Sequence, residues 1–140
     1  MMKHIDIKDF KIGSETPMLV KNPIEKIHLV KYAGASGDFN PFHTDPDIGK
    51  AIGLGQIAQG MLIMRFVGQT ITDGVSLKYL KKLSVRFSCV TKLGDIVSIT
   101  GKVCEKTVGS GSTKIQYDLL AKNQNNELLL NGYFEIILPK

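Results

Sequence analysis

No stretch of this 140-residue sequence approaches the ~18 to 20 uninterrupted apolar residues that span a bilayer. The opening residues, MMKHIDIKDFKIG, alternate apolar and charged side chains and lack the apolar core of a secretory signal. Cysteine is scarce: Cys89 and Cys104 are the only two, and they form no C-x-x-C pair. A membrane protein, a disulfide-stapled miniprotein and a zinc ribbon are therefore excluded as leading classes. A reduced, cytoplasmic setting is expected. His4 and His28 have no metal-like company, so no metal site is expected. Repeats, low-complexity tracts and flexible linkers are missing too, and residues 1–140 read as one domain.

Hydrophobic residues make up 43% of the chain and charged residues 22%, enough apolar matter to build a core. The net charge of +5 is uneven. Residues 76–106 hold seven basic side chains (Lys78, Lys81, Lys82, Arg86, Lys92, Lys102, Lys106) against Asp95 and Glu105, and the remainder balances. Such a surface favours an anionic partner. Nucleic acid is not expected, because helix-turn-helix, zinc-knuckle and aromatic RNA-stacking patterns are all absent.

The order of elements follows from periodicity and punctuation. A short extended piece near 16–21 precedes a break at Asn22-Pro23. Residues 27–35 form a short helix with Gly37 as its C-cap, and Asp45 caps another at 46–52. Segment 58–73 is apolar on almost every side, the mark of a buried helix. Four strand-like runs with period-two alternation follow, at 80–90, 95–108, 113–122 and 127–138. In the first, Leu83, Val85, Phe87 and Cys89 share one face, and Lys82, Ser84, Arg86 and Ser88 the other. Both cysteines read as small buried hydrophobes, and Met61 and Met64 fit the helix core. The expected class is α+β: an antiparallel five-stranded sheet wrapped around a central apolar helix, which is a hot dog fold.

One segment carries chemistry. In YAGASGDFNPFHTDP (32–46), Asp38 and His43 stand five apart on a stretch that Pro41 should keep as a bent loop. A carboxylate and an imidazole on one rigid loop can share a water and move its protons. A capping Asp and a surface His fit the same residue types.

The run GDFNPFHTDP, followed by IAQGML, resembles the MaoC-like family of (R)-specific enoyl-CoA hydratases and 3-hydroxyacyl-thioester dehydratases. The likeness runs through KYAGASGDFNPFHTD, GLGQIAQGMLIM and SVRFSCVTKLGDIVSITGKV, about residues 28–105. It implies a hot dog domain with a catalytic overhang at about 32–56, a central helix at about 58–73 and strands at about 79–138. It further implies a hydro-lyase that adds water to trans-2-enoyl thioesters, or removes it, in fatty acid metabolism. Asp38 is then the general base toward the water and His43 its partner in proton transfer. The Gly60 backbone N–H faces the thioester oxygen, where enolate charge builds. Asn40 and Gln59 support the site, although many relatives carry His where this chain has Gln59. No cofactor is expected beyond the coenzyme A or acyl carrier protein that forms part of the substrate. Lys82 and Arg86 are candidates for the carrier's phosphates. A dimer is expected, either a homodimer or a heterodimer. Two alternatives stand beside this reading: a hot dog acyl-CoA thioesterase, and a non-catalytic acyl-binding subunit of a heterodimeric dehydratase.

Overall fold

The computed structural model describes residues 10–140. The elements in chain order are β1 (Leu19–Val20), α1 (Lys26–Ser36), α2 (Pro41–Thr44), α3 (Pro46–Ala51), α4 (Gly60–Gly74), β2 (Leu80–Phe87), β3 (Ser98–Val108), β4 (Ser112–Lys122) and β5 (Leu128–Pro139). The strands form one antiparallel sheet in the order β1-β3-β4-β5-β2, the hot dog architecture. Short turns account for that topology. Asn126, at φ 62°, and the Asn123 side chain, which accepts from the N–H groups of Asn125 and Glu127, close the β4–β5 hairpin.

Alternation decides which face is covered. In β4, Thr113, Ile115, Tyr117, Leu119 and Ala121 are buried while their neighbours are half-buried or exposed. They meet Leu62, Ile63, Phe66, Val67 and Ile71 of α4 in one core. Burying each such side chain contributes roughly 1.5–3 kcal/mol. Close approach between β5 and β2 depends on Gly132, because a Cβ there would run into the backbone of Ser84 and Val85.

Four expectations change. Helix α4 is not buried all round: the sheet covers one side and α1 another, leaving Met61 58% exposed and Arg65 in solvent. The bent loop at 38–43 contains one helical turn, α2. Pro41 permits it because Asn40, at ψ 130°, lies outside the helical region while Pro41 occupies the first helical position. Strand β2 stops at Phe87, where Ser88 and Cys89 both donate to the Leu129 carbonyl (2.9 and 3.4 Å) and end the ladder. Cys89 is therefore exposed. Cys104 falls at a register shift between β3 and β4 and is only half-buried.

Candidate active site

The site begins where α1 ends. Gly37 takes the left-handed conformation at φ 76°, and its N–H donates to the Ala33 carbonyl at 2.9 Å. The chain then turns away, and the Asp38 N–H donates to Ser36 Oγ. Asp38 Oδ1 accepts from the Asn40 N–H, and Asn40 Oδ1 accepts from the Phe42 N–H at the head of α2. These two Asx turns set the separation across the D-F-N-P-F-H run. His43 Nε2 comes to 3.7 Å from Asp38 Oδ2.

His43 is clamped from the opposite side. Its Nδ1 lies 2.9 Å from the Ile57 carbonyl oxygen. A carbonyl only accepts, so Nδ1 carries a proton and the neutral ring offers a lone pair at Nε2. The Ile57 N–H donates to the Phe42 carbonyl (3.2 Å), and Gln56 Nε2 donates to that of His43 (2.6 Å). Gln56 is buried at 6% exposure and holds His43 by its backbone, a positioning role not anticipated from the sequence. Its place within the apolar run 51–58 was the available signal.

His43 opens onto a cavity of about 330 Å³ that Gly60, Ile63 and Phe87 also line. Gly60 is the first residue of α4, so its N–H has no carbonyl partner within the helix. A Cβ on it would reach 3.4 Å from the Phe87 ring, so a side chain here would narrow the cavity. Cys89 stands at the rim of the same space, brought there by the end of β2. Asp38 is more open, its side chain 42% exposed against 13% for His43.

Gln59 points elsewhere. It is fully buried and donates through Nε2 to the Leu29 carbonyl of α1 (3.1 Å), while its Oε1 has no partner among the described residues. It fastens α1 to the start of α4. Lys82 and Arg86 are not brought to the cavity. They share the outer face of the sheet, where Lys82 Nζ sits 5.2 Å from the Tyr133 ring centroid. A hydrogen bond and charge interaction with Tyr133 push the Lys82 ammonium up from its ordinary value of 10.5. His28 lies on α1, and His4 falls outside the described residues. Among the described residues, no group of three or more His, Cys, Asp or Glu side chains could hold a metal ion. None of the helices described is long and apolar enough to cross a membrane.

The site thus combines a five-stranded hot dog sheet, a helix packed on it and an Asp–His pair on an overhanging turn, with His43 and Gly60 of the helix N-terminus lining one cavity. The MaoC-like domain model matches residues 9–125, and the chain belongs to that hydratase and dehydratase family. Among solved structures it is similar to a monoamine oxidase regulatory protein from Archaeoglobus fulgius, at 27% identity and a TM-score of 0.79. That match covers 97% of this chain and 95% of the other. It is also similar in fold to the (R)-hydratase from A. caviae involved in PHA biosynthesis, at 20% identity and a TM-score of 0.80 over 94% and 99% of the two chains. A fatty acid synthase subunit beta from Gibberella zeae is 32% identical over 114 residues. That match takes in 79% of this chain and only 5% of the relative's length.

Proposed function

We propose that the protein is a hydro-lyase that adds water to trans-2-enoyl thioesters to give (R)-3-hydroxyacyl thioesters, or removes it in reverse. Its setting is cytoplasmic fatty acid metabolism. The observation that carries this reading is the 3.7 Å gap between Asp38 Oδ2 and His43 Nε2, with Nδ1 pinned by Ile57. With the ring neutral, both atoms are acceptors, and the distance is too long for a direct hydrogen bond. A water that donates one hydrogen to each satisfies both and points its oxygen lone pair outward.

In the hydration direction that oxygen bonds to C3 of the enoyl group and gives up a proton to the Asp38–His43 pair. The C2–C3 π electrons move toward the thioester carbonyl, and C2 then takes a proton from the same pair. The enolate oxygen of the transition state accepts from the Gly60 N–H, whose position at the start of α4 gives the dipole the stabilising sign. Asn40 holds the loop in register, and the carrier is coenzyme A or acyl carrier protein.

The active form is a homodimer through β2, a border strand that ends on the exposed apolar ring of Phe87. Sedimentation equilibrium reads twice the chain mass if this holds and the chain mass if it does not. The activity test is crotonyl-CoA absorbance at the enoyl band with parallel thiol detection. Loss of the band without thiol release, and an (R) product on chiral chromatography, supports the hydro-lyase. Thiol release would identify a thioesterase instead, and an unchanged band with bound substrate a non-catalytic subunit.

A further inference from the structure

A second cavity lies between α1 and the first turns of α4, on the side of α4 away from His43. It measures about 670 Å³, twice the space at His43. Four basic side chains line it, Lys21, His28, Lys31 and Arg65, together with the amide of Asn22. No carboxylate is among its lining residues, and none of the described ion pairs involves Lys21, Lys31 or Arg65.

Lys21 is held but not neutralised. Lys21 Nζ donates to Gln69 Oε1 at 3.1 Å and sits 5.0 Å from the Phe66 ring centroid. An amide oxygen and a ring face orient an ammonium without cancelling its charge. His28 Nδ1 accepts from the Glu25 N–H at 3.0 Å, so Nε2 carries the proton of the neutral ring and is its donor. Lys31 and Arg65 project from α1 and α4 into solvent at the cavity mouth. Like charges gathered on one concave surface repel one another and draw in an anion. A phosphate, with several acceptor oxygens and up to two charges, matches two ammonium groups and a guanidinium fork better than a single carboxylate does. The volume exceeds what a bare phosphate needs and falls in the ~300–1,000 Å³ range of small-molecule sites. Tyr32 and Phe66 add aromatic surface for an organic body.

We propose that the α1–α4 cavity is a binding site for a phosphorylated small molecule, a nucleotide in size, held by Lys21, Lys31 and Arg65. Two sources share that chemistry: the nucleotide end of a coenzyme A thioester, and a separate free nucleotide. Only the first rests on the proposed activity.

Adenosine 3′,5′-bisphosphate, titrated calorimetrically into the full chain at low salt, is the probe. Wild type binds it, and added salt weakens the binding. The double variant Lys31→Gln/Arg65→Gln, with its fold checked by circular dichroism, loses about tenfold or more in affinity. Lys82→Gln/Arg86→Gln on the outer face leaves the affinity as it was. No binding by wild type, or equal binding by the α1–α4 double variant, overturns the proposal. Binding is read without turnover, so failure of the hydro-lyase reading leaves this result interpretable. For the source, KM is compared on crotonyl-CoA and crotonyl-pantetheine. A rise in the double variant confined to crotonyl-CoA assigns the site to the carrier, and lost probe binding with no such rise assigns it to a free nucleotide.

Discussion

At the scale of single residues, Asp38 and His43 are the pair to test. Asp38→Asn and His43→Ala should each lower kcat by ~10² or more, the usual worth of a positioned acid or base. The double variant should fall little further, because both act on one water. Asp38→Asn should leave the melting temperature nearly unchanged, since the side chain is 42% exposed on a loop. Near-wild-type hydration by that variant would sink the mechanism. Gln59 behaves in the opposite way. Its orphaned Oε1 is costly, and Leu29, whose carbonyl it bonds, lies inside α1 where the helix ladder already uses that oxygen. Gln59→Met should therefore stay within about 1 kcal/mol of wild type in urea denaturation. Gln59→Glu should lose more than about 3 kcal/mol by burying an unpaired charge.

Secondary-structure elements differ in how openly the sequence announces them. Helix α1 and its Gly37 stop, Asp45 as a cap (its side chain accepts from the Asp47 N–H) and the four long strands are local matters of periodicity and capping. The D-x-N-P-x-H spacing is equally local, because its two Asx turns lie within five residues. What joins distant parts was not legible. Ile57 and Gln56 reach His43 from 14 and 13 residues away, and Phe87 and Cys89 arrive at the cavity only through the β2–β5 register. Charge counting pointed to 76–106, whereas Lys21, Lys31 and Arg65 are scattered in sequence and meet only when α1 packs on α4. Gly132 is the element-scale test. Gly132→Ala should cost more than about 2 kcal/mol and speed unfolding, because β2 must move to admit the methyl group. A chevron series reads both effects.

For the molecule as a whole, loss of stability at alkaline pH has an identifiable source. Tyr117 stacks on Phe134, centroids 4.5 Å apart, in the core between sheet and helix. Burial pushes its phenol well above the ordinary value of 10.0. The unfolded chain therefore releases that proton from about pH 10 upward while the folded chain keeps it. This contribution is intact below about pH 10 and is lost as pH rises toward the raised value. Urea midpoints should fall more steeply between about pH 9.5 and 11.5 for wild type than for Tyr117→Phe. Parallel slopes would remove Tyr117 as the cause.

The two borders of the sheet are unequal. On one side, Gly13, Ser14 and Thr16 already bond to Val103 and Gly101 beyond the two-residue β1, so that rim is occupied. On the other, β2 is eight residues long and bonded on one flank only. If two copies join along β2 around a twofold axis, as proposed, each covers the longer open border of the other, and only the short border at β1 is left uncovered. A border of two residues offers a further copy little ladder to pair with, so such an assembly is expected to end at two.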